Sequence, residues 1–116
     1  SMVILNFTLQ FIPPVERLLI LSRIYKGLKP GGVLVLSEKR YGQSPDEERH
    51  LRDWHHDFKR NAGYSQNEIQ QKSDAIANIM PLDTPNQQKN RLLEAGFKNQ
   101  TQWFQCFNFS SVIAEK

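Results

Sequence analysis

Cysteine is almost missing from this chain: Cys106 is the only one in 116 residues, so no internal disulfide can staple the fold, and a single thiol fits a reducing compartment. Hydrophobic runs are short as well. None approaches the roughly 18 residues that a membrane span requires, and the mean hydropathy is −0.57. The apolar start lacks the basic leader and small-residue cleavage site of a secretory signal, which makes the cytoplasm the expected location. No Gly-X-Gly occurs anywhere, so the residues carry no dinucleotide-type phosphate turn of their own. No Cys, His, Asp or Glu set stands at a zinc spacing, and no metal site is expected. Basic runs are lacking too. The formal charge of +3 and the pI near 9.2 permit attraction to anions. However, Asp46, Glu47, Glu48, Asp53 and Asp57 interleave with the cations, the pattern of a solvated surface rather than a nucleic-acid stripe.

What is present reads as alternating strands and helices, with 39% apolar and 10% aromatic content adequate for a packed core. The opening SMVILNFTLQFIPP begins with an unbroken apolar run, residues 2–5, the mark of a strand covered on both faces. Such a strand needs neighbours on both edges, which suggests a missing segment upstream. After Pro13-Pro14, residues 15–28 place Val15, Leu18, Leu19, Ile24, Tyr25 and Leu28 at helical spacing, with Glu16, Arg17, Arg23 and Lys26 opposite. The helix stops in GLKPGG, and residues 33–36 form a second apolar run. Strand, helix and strand at this distance make a right-handed parallel unit.

Three capped helices should follow. Ser44-Pro45-Asp46-Glu47 opens one carrying Leu51, Trp54, His55 and Phe58. Ser65-Gln66-Asn67-Glu68 opens a second with Ile69, Ile76, Ile79 and Met80, and Thr84-Pro85-Asn86-Gln87 opens a third that ends at Ala95-Gly96. The first two make an insertion or lid over about residues 44–80. The tail reads as two strands, roughly 100–106 and 109–115, joined tightly and therefore antiparallel.

This order resembles the C-terminal half of the Rossmann-like class I methyltransferase fold: α/β, about four strands, two parallel and then an antiparallel pair, with an inserted helical pair. LKPGGVL (residues 28–34) resembles the turn and fifth strand of that superfamily, and EAGF (residues 94–97) the approach to its sixth. More narrowly, LNFTLQF (5–11), LSEK (36–39), HHDFKR (55–60), GYS (63–65) and WFQCFNF (103–109) resemble the bacterial carboxy-S-adenosylmethionine synthases, earlier described as tRNA uridine-5-oxyacetic acid methyltransferases. The resemblance covers nearly all of the chain, and it implies one partial domain, residues 1–116, of a larger S-adenosylmethionine-binding unit.

The resemblance also implies chemistry. Family members are homodimers that use prephenate to convert S-adenosylmethionine into its carboxylated form. A partner enzyme then transfers that product to the wobble uridine of tRNA, so contact with tRNA is indirect. Of the cofactor-contacting positions, Asn6 lies within LNFT, at the carboxyl end of a parallel strand where ligands sit in open α/β sheets. No catalytic side chain is implied, because such a protein positions and desolvates a sulfonium cofactor and its co-substrate. One departure stands out. Where the family has Lys-Arg, with the arginine reaching the cofactor carboxylate from the neighbouring subunit, this chain has Lys72-Ser73. Serine cannot form a two-pronged ion pair. Either Lys72 or another cation substitutes as a point charge, or the carboxylated product is held differently.

Other residues favour plain roles. His55-His56 reads as a packed histidine beside a solvated one, Cys106 as a core thiol, and Trp54, Trp103, Phe104 and Phe107 as packing rather than stacking platforms. Arg40, Lys59, Arg60 and Lys72 read as solvated cations. The expected function is therefore part of a carboxy-S-adenosylmethionine synthase-like enzyme, inactive without its other half. The alternatives are an S-adenosylmethionine-dependent methyltransferase of another specificity and a non-enzymatic dimerisation module. Direct binding of tRNA rests only on pI and scattered cations.

Overall fold

The computed structural model describes residues 1–77 and 81–116, with the side chains of residues 74–77 left out. Four strands form one sheet: β1 (Met2–Asn6), β2 (Val33–Lys39), β3 (Asn99–Cys106) and β4 (Phe109–Glu115), in the order β1-β2-β4-β3. β1 and β2 are parallel, with Met2 opposite Val33 and Asn6 opposite Ser37. β4 runs antiparallel to both β2 and β3. A 3-10 turn (Leu9–Phe11) and helix α1 (Pro14–Gly27) connect β1 to β2. Helices α2 (Pro45–Asn61), α3 (Gln66–Ala77) and α4 (Pro85–Ala95) lie between β2 and β3. The parallel pair, the helical excursion and the antiparallel tail agree with the expected order.

The local reasons are visible at the helix ends. Ser44 Oγ accepts the Glu47 amide at 3.1 Å, and α2 carries Asp46, Glu47 and Glu48 in its first turn and Lys59 and Arg60 in its last, complementing the helix dipole. Thr84 and Gln87 form the reciprocal capping box of α4. At α3, Ser65 Oγ accepts the Glu68 amide at 3.1 Å and donates to the Glu68 carboxylate at 3.0 Å. Gly96 ends α4 with φ of 118°, a left-handed position where an added Cβ would lie 2.8 Å from the Tyr25 ring.

α1 and α4 cover one face of the sheet. Leu21, Leu28, Leu34, Leu36, Leu92 and Phe97 are buried there, and Tyr25 meets Phe97 edge-on with ring centroids 5.1 Å apart. Each fully buried leucine contributes on the order of 2 kcal/mol.

Several expectations need correction. β1 is not covered on both faces: Met2 and Ile4 are 62% and 61% exposed, and among the described residues only β2 flanks it. α1 is rotated from the expected face. Val15 and Leu19 are exposed, whereas Arg17 is buried, because it answers carbonyl groups that hydrophobic periodicity does not register. Trp54, Trp103 and Phe104 are more than half exposed, and Cys106 is exposed, since among the described residues β3 from Thr101 to Cys106 is left open to solvent. Ile69 is buried as expected of α3; the side chain of Ile76, together with Ile79 and Met80, lies outside the described residues. Among the described residues, no helix is long and apolar enough to cross a membrane.

Candidate functional site

A cleft of about 470 Å³ opens at the carboxyl end of β2. Lys39, the last residue of β2, forms part of its floor with Gln10 and Phe109; α2 supplies Arg52, His55, His56 and Lys59 on one wall, and α3 supplies Lys72 and Ser73 on the other. The volume falls within the range of small-molecule sites. A second hollow of about 400 Å³ between α2 and α3 shares His55, Lys59 and Lys72 with the first.

The floor is pinned from beneath. Gln10 Oε1 accepts the Lys39 amide at 2.7 Å, fixing the 3-10 turn to the end of β2. Arg17, 1% exposed, donates to the carbonyls of Ile12, Gln10 and Pro81 at 2.8, 2.9 and 2.7 Å and to Asp83 at 3.2 Å. Arg91 also pairs with Asp83, and the Asp83 carbonyl accepts the Tyr41 amide at 2.9 Å. One guanidinium thus ties three chain segments together around the cleft. Glu38, on the buried face of β2, lies beside this network. Burial pushes its carboxyl up to about 7, against the opposing pull of the Arg17 charge.

The α2 wall rests on aromatic rings. His55 stacks on Phe107 with centroids 5.5 Å apart and meets Phe109 edge-on at 5.4 Å. Phe58 packs on Phe107 at 5.6 Å. Burial, then the charges of Lys59 and Lys39, push the His55 imidazole down to about 4, so it is neutral at pH 7. Lys39 and Lys59 are displaced downward as well, each first by burial and then by neighbouring lysine charge.

The sequence places Asn6 correctly at the end of β1, but it does not line the cleft. Its side chain is exposed, and among the described residues its amide makes no hydrogen bond; its backbone carbonyl accepts Thr8 Oγ1 at 3.2 Å. The chain then turns sharply through Phe7, at φ 53°, whose amide donates to the Ser37 carbonyl at 2.9 Å and whose ring meets Phe109 at 5.9 Å. Asn6 and the cleft therefore share the carboxyl end of the sheet, on either side of the Phe7–Phe109 contact.

The structure brings together Lys39, Lys59 and Lys72, which sequence reasoning did not group. Lys39 was not singled out at all, although its position at the end of a parallel strand was the available signal. Arg60 points elsewhere, pairing with Asp57 and donating to Gln66 at 2.8 Å, and Arg40 is buried rather than solvated. Among the described residues, no cluster of three metal-ligating side chains occurs.

No family model matches the chain. Curated relatives do. The carboxy-S-adenosyl-L-methionine synthase of Hamiltonella defensa is 56% identical across all 116 residues, which span 46% of that protein. The chain is a homologue of carboxy-S-adenosyl-L-methionine synthases. Those of Pasteurella multocida and Citrifermentans bemidjiense are 53% and 52% identical over the same full length, each matched along 48% of its own sequence. The chain thus spans about half the length of the curated relatives it matches. Among solved structures, PigF with SAH superposes with a TM-score of 0.66 at 16% identity, covering 99% of this chain and 30% of that one. The S-adenosylmethionine-dependent methyltransferase SibL, in its apo form, gives 0.61 at 14% identity, with 99% and 30% covered. The four-stranded mixed sheet with its helices is therefore a portion of the methyltransferase fold.

Proposed function

We propose that this chain is one partial domain of a cytoplasmic, homodimeric enzyme that converts S-adenosylmethionine into carboxy-S-adenosylmethionine with prephenate as carboxyl donor, for modification of the tRNA wobble uridine by a partner. The observation that carries this reading is 52–56% identity over the full 116 residues with synthases of that name. The residues present fit a contribution to such a site. Asn6 offers a side-chain amide that makes no hydrogen bond among the described residues, at the carboxyl end of a parallel strand, where it would contact the nucleoside-bearing substrate. S-adenosylmethionine supplies the sulfonium-bound methyl group that becomes carboxylated. This chain's part is to orient that group, exclude water, and hold the anionic donor in the lysine-lined cleft.

A segment exchange tests the reading. The homologous stretch of the Hamiltonella defensa protein is replaced by these 116 residues, and the hybrid is incubated with S-adenosylmethionine and prephenate. Mass spectrometry should find a product heavier than S-adenosylmethionine by one carbon dioxide, dependent on prephenate. The isolated chain should yield none. A folded hybrid that binds S-adenosylmethionine yet forms no such product, while the parental relative does, defeats the proposal.

A further inference from the structure

Among the described residues, Phe7 and Phe107 take a positive φ without being glycine, at 53° and 50°. Their reasons differ. Phe107 lies in the two-residue turn that joins β3 to β4, where a reversed φ closes the hairpin. Phe7 closes no hairpin. A bulky side chain in the left-handed region is strained, and such strain persists only where the surroundings hold it in place.

What Phe7 interrupts is the hydrogen-bond ladder between β1 and β2. In a parallel pair, a residue that donates its amide to one partner accepts with its carbonyl from the partner two places further on. The Phe7 amide donates to the Ser37 carbonyl at 2.9 Å, so a regular ladder would have the Phe7 carbonyl accept the Lys39 amide. That bond is absent. With φ reversed, the Phe7 carbonyl leaves the ladder, and Gln10 Oε1 accepts the Lys39 amide at 2.7 Å in its place. A side chain from the 3-10 turn thus supplies the next rung, while β1 itself ends at Asn6. Gln10, 5% exposed, is held in turn: its carbonyl accepts Arg17 Nη2 at 2.9 Å, and its backbone amide donates to the Glu38 carboxylate. Both sides of the candidate site depend on this exchange. Asn6 is the last ladder residue before the turn, and Gln10 and Phe11 after it line the cleft.

We propose that Gln10 is a positioning residue: by answering the Lys39 amide in place of the Phe7 carbonyl, it holds Phe7 in its left-handed turn and keeps Asn6 aligned with the cleft lining. Without that side chain, a buried amide is left without an acceptor, and the nearest remedy is for Phe7 to return to an extended conformation and offer its carbonyl. The strain at Phe7 relaxes, β1 gains a rung, and Gln10 and Phe11 leave the lining. Two bound reactants would then meet less accurately, although the groups that bind each of them are still present. The proposal rests on the functional reading above for its activity readout alone.

The test has a structural arm and an activity arm. In the isotope-labelled chain, NMR scalar coupling across hydrogen bonds should connect the Lys39 amide nitrogen to the Gln10 side-chain carbonyl carbon. Gln10→Met should transfer that coupling to the Phe7 carbonyl carbon and move the Phe7 Cα and Cβ shifts from left-handed to extended values. Gln10→Glu, which keeps the acceptor, should leave Phe7 as it is in the parent. In the segment-exchanged relative, Gln10→Met should lower kcat by about tenfold to a hundredfold while the KM for S-adenosylmethionine changes by less than about threefold. Gln10→Glu should keep kcat within about threefold and raise the KM for prephenate, because a carboxylate then faces an anion. In a Phe7→Gly background, where the left-handed turn is unstrained, the loss caused by Gln10→Met should be smaller by at least about threefold. Should Gln10→Met fail to fold, Gln10→Asn replaces it, one methylene too short to reach the Lys39 amide. Left-handed Phe7 shifts that survive the loss of the Gln10 acceptor, or a kcat loss that is the same in both backgrounds, overturns the proposal. A parental hybrid that forms no product defeats the functional reading and leaves the structural arm to decide the role of Gln10. An active hybrid whose Phe7 is indifferent to Gln10 defeats the proposal alone.

Discussion

Replacing Glu38 with glutamine isolates the energetics of a carboxyl group held beneath the candidate site. Glu38 is 4% exposed, and its carboxyl titrates near 7 in the folded protein instead of at its ordinary 4.5. Between those two values the folded state keeps a proton that the unfolded chain releases. Stability therefore falls as pH rises through this window and levels off above about 7. At about 1.36 kcal/mol per pH unit the loss amounts to roughly 3 kcal/mol, and burial leaves little solvent to reduce it. Glutamine keeps the shape and an acceptor for the Gln10 amide but does not titrate in this range. Urea denaturation of both proteins at several values between about pH 5 and pH 8 should show the Glu38→Gln variant gaining on the parent by roughly 3 kcal/mol as pH rises. His55, lowered to about 4, loses stability in the opposite direction as acid is added, but it is common to both proteins and cancels in the difference. A difference that stays flat across the window, or a variant that loses ground at high pH, would mean that Arg17 holds Glu38 as a carboxylate and that burial does not dominate.

Arg17→Met should cost roughly 3–5 kcal/mol in the same assay, because it strips partners from three carbonyls and leaves Asp83 to Arg91 alone; Arg17→Lys should recover little, since an ammonium cannot span that fork. Gly96→Ala should lower stability by roughly 1–3 kcal/mol, measured by thermal melting, as a Cβ there is strained and presses on Tyr25. Thr84→Ala should cost about 1 kcal/mol by opening the cap of α4, a loss that Thr84→Ser should largely avoid.

The elements were legible because their punctuation is local. Ser44, Ser65 and Thr84 announce helices through bonds to residues three positions away, and the β3–β4 hairpin follows from two runs joined by Phe107 and Asn108. Facing was harder to read. Arg17 resembles an outward-pointing residue until Gln10, Ile12 and Pro81 converge on it, and Pro81 lies 64 positions away. Met2 and Ile4 read as fully buried because an apolar run does not state how many layers cover it. Of the candidate site, Asn6, Lys59, Lys72 and Ser73 were visible as motif positions. The grouping of Lys59, Lys72 and Ser73 with Lys39 was not, because it depends on α2 leaning on Phe107 and Phe109 from the far end of the chain.

That lean has a consequence for timing. The floor of the cleft belongs to the hydrogen-bonded centre of the sheet, whereas α2 is held by Leu51 and a ledge of two rings, Phe107 and Phe109. The two sides therefore belong to different cooperative units, and amide protons along α2 should exchange with deuterium well before those of β2. Occupancy of the cleft would join the units, slowing exchange in α2 while leaving β2 unchanged, so a bound guest would announce itself first in the helix backbone.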